Sequence, residues 1–342
     1  MKIAAISTLG IDGPDNDGYA FGRLISQTTQ SIMKHQYTAS CSLRLALCGA
    51  GWLALAAGLQ AQPSFGAHYP IGVEGLKGGS VPPPGLYLRD YNQFYMSDRL
   101  KNSGVDDFDL LVYAQAPRLI WITNLKLLGA HYGADVLVPF IYTDLEVRTP
   151  DGKFKDSTFG LGDIFVEPIT LSWHCQKFDL GVGYGFWAPT GDSDPGLSTA
   201  PGKGYWGHMF TLGGTWFPDA QKTWSVSLLN RYEINHESDD YPAASHPYSI
   251  TAGDVYSLEA GIGKSLSKVV EIGAVGYYQQ QTTKDRGTEA SNDLDRVFAV
   301  GPEISLTFPE ASFFASLRYL YEFGAKYRSE GHTLTLTLTK RF

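Results

Sequence analysis

The sequence predicts an all-β protein, a transmembrane antiparallel up-and-down β-barrel of about 12 strands. Three observations predict it. The composition is rich in aromatics (13%) and glycine (38 residues) yet only 18% charged, against about 25% in an ordinary globular chain. Segments that favour strand alternate apolar and polar residues with period 2. The connections between those segments alternate short and long along the chain. The aromatic content excludes a disordered chain, and the lack of a Gly-X-Y period excludes collagen. Mean hydropathy is −0.14. No apolar run of about 18 residues follows residue 60, which excludes a bundle of membrane helices. The net charge is −8, without basic runs, which argues against nucleic acid as a partner.

The N-terminal region reads as an export sequence. Residues 33–61 begin with Lys34 and Arg44, continue through an apolar stretch from Leu45 to Leu59, and end in small residues. That is the layout of a secretory signal peptide, with cleavage expected between 61 and 67. Residues 1–32 form a polar extension before it, expected to be non-native or mis-annotated, with Met33 as the start. Of the three cysteines only Cys175 would remain after cleavage, so no disulfide framework is expected. Residues 68–84, including Pro82-Pro83-Pro84, read as a stiff periplasmic lead-in to the barrel at 85–342. The alternative is that they enter the periplasmic mouth and narrow the lumen.

Twelve segments then favour strand: 85–99, 109–122, 128–142, 158–173, 178–189, 204–217, 223–237, 253–264, 269–282, 293–308, 311–323 and 330–342. In 223–237, Val226, Leu228, Tyr232 and Ile234 share one face, and Ser225, Ser227, Arg231, Glu233 and Asn235 the other. In 311–323, Leu317, Tyr319, Tyr321 and Phe323 oppose Ser316, Arg318 and Glu322. A slip of one residue would exchange the faces, so such patterns fix register.

Five connections are tight, among them His174-Cys175-Gln176-Lys177 and Pro309-Glu310. Six are longer and polar: 100–108, 143–157, 190–203, 238–252, 283–292 and 324–329. Outer-membrane barrels have short periplasmic turns and longer extracellular loops. An even strand count then predicts two periplasmic termini. Backbone that crosses lipid must pair internally, as a helix or a closed barrel, and lipid of the outer membrane is the expected surroundings. The last strand runs Thr333-Leu334-Thr335-Leu336-Thr337-Leu338-Thr339 and the chain ends on Phe342. This resembles the signal by which outer-membrane proteins reach the barrel-assembly machinery, an expected partner. Lys340 departs from it, at a site usually apolar.

The segment His68-Tyr69-Pro70-Ile71-Gly72-Val73-Glu74-Gly75-Leu76-Lys77-Gly78-Gly79-Ser80-Val81-Pro82-Pro83-Pro84 is distinctive. It resembles the start of the mature chain in a family of outer-membrane proteins associated with the meta-pathway of phenol degradation. Gly160-Leu161-Gly162-Asp163-Ile164-Phe165-Val166-Glu167-Pro168, Ala188-Pro189-Thr190-Gly191 and Arg231-Tyr232-Glu233-Ile234-Asn235 are similar too. The resemblance implies a barrel and a link to uptake of aromatic compounds. It supplies no catalytic motif.

With the apolar faces turned to lipid, the inner wall collects Arg89, Asp135, Asp163, Glu167, Arg231, Glu233, Glu259, Glu271, Glu303, Arg318 and Glu322. These are either a network of cross-strand ion pairs or a surface that sets selectivity. Tyr87, Tyr91 and Tyr95 share the face of Arg89 and would line a path for aromatic solutes. Gly181, Gly183 and Gly185 share one strand face. No helix follows them to offer amides to a phosphate, so a crowded interior explains them better. His246 and Ser249 are near in sequence, and His131, His208 and His236 have no evident Ser partner. Nucleophilic chemistry needs such a pair within bonding reach, so an outer-membrane lipase is the remote alternative, and no cofactor or metal is expected. The expected function is a channel for passive uptake of small aromatic or hydrophobic molecules. A closed structural or adhesive barrel is the competing class.

Overall fold

The computed structural model describes residues 67–342, apart from 104, 106, 150–151, 195–197, 239–249 and 288–289. The expected extension (1–32) and signal peptide (33–61) lie outside the described residues, as do His246 and Ser249. The strands are β1 (Gly85–Ser97), β2 (Asp107–Leu127), β3 (Ala130–Leu137), β4 (Phe140–Thr149), β5 (Gly152–Leu161), β6 (Ile164–His174), β7 (Phe178–Ala188), β8 (Gly207–Trp216), β9 (Trp224–Asn235), β10 (Ile250–Thr251), β11 (Val255–Ser265), β12 (Val270–Gln281), β13 (Arg286–Gly287), β14 (Arg296–Phe308), β15 (Phe313–Lys326) and β16 (His332–Arg341).

Fourteen strands form one sheet, in the order β1-β16-β15-β14-β12-β11-β9-β8-β7-β6-β3-β2-β4-β5, and β1 also pairs with β2. That last pairing closes the sheet into a barrel. β10 and β13 form a separate ribbon. Two staves of the barrel are each made of two strands. β2 pairs with β3 through Arg118–Leu127 and with β4 through Asp107–Gln115. So β3 and β4 are one stave, interrupted at Val138-Pro139. β5 and β6 likewise pair with β4 and β3, and are one stave interrupted at Gly162-Asp163. The barrel therefore has twelve staves. Pro139 has no N–H to give to the ladder. The wall stays joined there by Val138 N–H donating to the Pro117 carbonyl at 3.0 Å and Gly162 N–H donating to the Pro139 carbonyl at 2.8 Å.

All staves read in the sequence are present. Some connections differ: the loop expected at 143–157 is mostly strand, because β4 runs to Thr149 and β5 resumes at Gly152; the tight connection expected at 123–127 belongs to β2, with the turn at Leu128-Gly129; and the loops expected at 238–252 and 283–292 carry β10 and β13. The short turns gather at one rim, where Gly85 and Arg341 also lie, and the long loops at the other.

The wall is apolar outside and polar inside. Leu228, Ile262 and Leu317 point outward and are 50%, 53% and 45% exposed, while Ser225, Arg318, Glu322 and Thr335 are buried on the inner face. Lipid solvates the first set, and closure leaves no unpaired edge in the spanning wall. Beyond Phe140 and Leu161 this polarity inverts. Leu145 and Val147 turn inward onto Tyr95, Phe108 and Leu110, each burial worth about 1.5–3 kcal/mol. Facing outward, Lys153 pairs with Glu146 at 2.5 Å and Lys155 with Asp144 at 3.6 Å.

The lead-in expected below the barrel is the main correction. Residues 67–84 lie inside it as a plug, so the described chain begins near the long-loop rim, and the expectation of two termini at the short-turn rim holds only for the strands.

Candidate functional site

The plug descends the lumen in a single pass. His68 sits at the long-loop end, stacked on Trp187 at 5.6 Å and edge-on to Tyr205 at 4.6 Å. Ser80 sits at the short-turn end, donating to Asp179 at 3.0 Å. Its conformation is irregular, so its backbone N–H groups have no ladder to join and need other acceptors. The inner face supplies them. Glu233 accepts from the N–H of His68 at 2.7 Å and of Tyr69 at 3.2 Å. Glu259 accepts from Glu74 N–H at 3.1 Å, and Glu303 from Leu76 N–H at 3.2 Å. Ser227 accepts from Gly79 N–H at 2.8 Å. Glu271 holds Lys77 Nζ at 2.6 Å, and Arg318 donates to the Gly72 carbonyl at 3.1 Å. Hydrogen bonds to a charged partner are roughly twice as strong as neutral ones. The row from β9 to β15 is thus a clamp for an extended peptide.

Glycines make room for this contact. A Cβ on Gly79 would stand 2.4 Å from the Gly214 carbonyl oxygen, and one on Gly261 would stand 2.9 Å from that of Leu76. Gly72 turns the plug with φ of +86°, a conformation that suits glycine. Gly181 faces Val81 of the plug, while Gly183 and Gly185 face Glu167 and Phe165, so the interior is crowded around them.

On the opposite side one plug carboxylate meets three arginines. Glu74 lies 3.2 Å from Arg89, 3.5 Å from Arg118 and 3.8 Å from Arg231. Tyr91 donates its hydroxyl to Glu74 at 2.8 Å. Arg118 is also forked onto Asp135 by two bonds of 2.7 Å and reaches Glu167 at 2.9 Å. Arg231 bonds to Glu259 at 3.3 Å and to the Tyr69 hydroxyl. Buried charges are tolerated when each meets a counter-charge.

All fourteen residues singled out in the sequence project into the interior. Tyr87, Arg89, Tyr91, Asp135, Glu167, Arg231, Glu233, Glu259, Glu271, Glu303 and Arg318 contact the plug or the Arg118 cluster. Tyr95 and Glu322 are joined to each other at 2.8 Å nearer the long loops. Asp163 accepts from the N–H of Gly191 at 3.0 Å and of Lys203 at 2.7 Å. Arg89, Tyr91, Asp135, Glu167 and Arg231 also border the space left beside the plug. Sequence reasoning missed Arg118, Glu74 and His68. Arg118 shares its face with Ala116, Ile120 and Ile122, which are apolar and buried, so the polar-inside pattern fails locally. Parity with Arg89, its partner across β1 and β2, was the available signal. Glu74 and His68 lie in a segment without periodicity. Of the histidines weighed for nucleophilic chemistry, His131 meets the Thr123 carbonyl at 3.2 Å, and His208 meets Tyr184 at 2.9 Å and the ring of His236 at 4.8 Å.

A family model described as the putative MetA-pathway of phenol degradation matches residues 96–338. The fold is similar to the COG4313 outer membrane channel from Pseudomonas putida F1, with a TM-score of 0.67 at 15% identity, covering 81% of this chain and all of that one (100%). The translocator domain of the autotransporter NalP from Neisseria meningitidis aligns at 0.46 and 12% identity, over 78% of this chain and 91% of that one. The CymD monoaromatic hydrocarbon channel aligns at 0.37 and 9% identity, over 76% of this chain and 89% of that one. These last two are too distant to bear on function. No curated protein matches the chain in sequence. The closed barrel and its likeness to the Pseudomonas protein place the chain in the bacterial outer membrane, with the short-turn rim periplasmic.

Proposed function

The chain belongs to the family of the putative MetA-pathway of phenol degradation, and from that premise we propose that it is an outer-membrane channel for passive uptake of small aromatic or hydrophobic molecules. The observation that carries this is how the lumen is filled. A structural barrel fills its interior with side chains of its own wall. Here the wall offers glycine and serine opposite the plug, and residues 68–84 fill the space. Such a filler blocks a bore that the wall by itself leaves wide. No covalent chemistry is assigned to it.

Planar bilayers test this. Wild type should show small or rare openings, and a chain lacking 68–84 should conduct at least tenfold more. The acids of the inner face outnumber its arginines, so the bared bore should favour cations over anions. Liposomes carrying the deletion should admit phenolics and small sugars. Absence of conductance and flux in both forms would sink the reading and favour a closed structural or adhesive barrel. The final strand, ending on Phe342, is proposed to engage the assembly machinery.

A further inference from the structure

Among the described residues, two cavities lie beside the plug, chiefly towards β1 to β8. The upper, about 30 Å³, has walls that include Tyr91, Leu137, Phe165, Trp187 and Met209. The lower, about 70 Å³, lies between Gly78–Pro82 of the plug and small residues such as Gly181, Gly183 and Gly213. Glu74, Arg118 and Arg231 border both, so this ion cluster divides them.

Two N–H donors of the upper lining have no partner among the described residues: Trp187 Nε1 and Arg231 Nε. Their residues are 4% and 7% exposed. A buried donor left unpaired is destabilising, and neither group can accept a hydrogen bond instead. Both therefore suit a guest that brings an acceptor. The aromatic walls suit a flat ring, through stacked or edge-on contacts. An anion is disfavoured, because Glu74, Asp135, Glu167 and Glu259 already neutralise the neighbouring arginines.

We infer that the upper cavity is a binding site for one uncharged aromatic ring bearing an oxygen acceptor, and that filling it displaces the plug at Glu74. The inference takes its solute from the channel reading above. Size makes the displacement necessary. At about 10–15 Å³ per water, the cavity holds two or three waters, whereas a benzene ring occupies a cavity of about 150 Å³. The ring must push the Tyr69–Glu74 stretch away from β2, β3, β6, β7 and β8. That draws the Glu74 carboxylate off Arg118 and Arg231 and joins the upper cavity to the lower. The clamp on Leu76, Lys77 and Gly79 can stay in place meanwhile.

The test uses the full barrel refolded in detergent and, in parallel, in planar bilayers, with phenol, toluene and benzoate as probes. Heat-modifiable gel migration reports whether each variant is folded. Phenol should bind wild type about tenfold more tightly than toluene, and benzoate should not bind. Trp187→Phe keeps a ring but removes a donor, and should cut that ratio to about threefold. Met209→Trp fills the cavity and should abolish phenol binding. In bilayers, phenol should raise the wild-type current and leave the Met209→Trp current unchanged. Equal affinity for phenol and toluene in wild type, or undiminished phenol binding by folded Met209→Trp, overturns the site. Specific binding without current supports the site and sinks the channel reading. Current without binding does the reverse.

Discussion

On the β9 to β15 side of the lumen, Glu233, Glu259, Glu303 and Glu271 hold backbone amides and a lysine of the plug. On the β1 to β8 side, the same segment faces an arginine cluster, aromatic rings and two cavities. The first arrangement suits retention, since acceptors along the wall bind a peptide whatever its side chains. The second suits passage, since small and apolar walls leave space beside the plug and one ion cluster at Glu74 divides it. One plug can therefore be retained on one flank and yield on the other.

Substitutions should separate the flanks. The largest effect is expected from Arg118→Ala, which strands Asp135 and Glu167 without their counter-charge. Removing one partner of a buried pair costs about 3–5 kcal/mol, so thermal unfolding should move far below wild type. Glu271→Gln on the other flank touches a pair whose lysine side chain is 36% exposed, and should cost about 1 kcal/mol or less. A similar loss for both would erase the contrast. Next in size, Glu233→Gln with Glu259→Gln should loosen the clamp. Single-channel records should then show openings about tenfold more frequent, and phenol affinity should rise, because the Tyr69–Glu74 stretch that the ring displaces is held by these two carboxylates. Gly79→Val should act in the same direction, because its side chain would meet the Gly214 backbone. Phe342→Ala belongs to neither flank, and should lower the folded fraction in outer membranes without changing single-channel current.

The smallest effect lies in the periplasmic turn between β8 and β9. Asp219 accepts from Trp224 N–H at 2.8 Å and Thr223 N–H at 2.9 Å, which holds its carboxyl down at about 2. A depressed carboxylate contributes above its unfolded value, near 4, and the contribution fades as pH falls through about 2. A carboxyl NMR titration with an ordinary midpoint would contradict this.

The twelve staves were readable because lipid is a uniform solvent that imposes one face on each strand. Leu334, Leu336 and Leu338 alternate with Thr333, Thr335 and Thr337 for that reason alone. The β4–β5 extension was not readable, because Asp144, Glu146, Lys153 and Lys155 face water there and give a polar stretch the look of a loop. Entry of residues 68–84 into the lumen was readable only as the alternative to a stiff lead-in, because a peptide clamped through its amides carries no repeating side-chain pattern. His68 and Glu74 acquire meaning only from Glu233 and Arg118, far away in the chain. The inner-wall residues were found by parity wherever the inside was polar, and Arg118 was lost where it was not.

The reversal of polarity beyond Phe140 and Leu161 also works as a waterline. Below it, greasy residues face out and charges face in; above it, the assignments are exchanged. The crossing marks how deep the barrel floats, and it needs no lipid to reveal it. Sinking the protein would drive Lys153 and Lys155 towards hydrocarbon, and raising it would lift Phe140 and Phe159 into water. The mast that stands above the surface is thus also what keeps the hull at its draught.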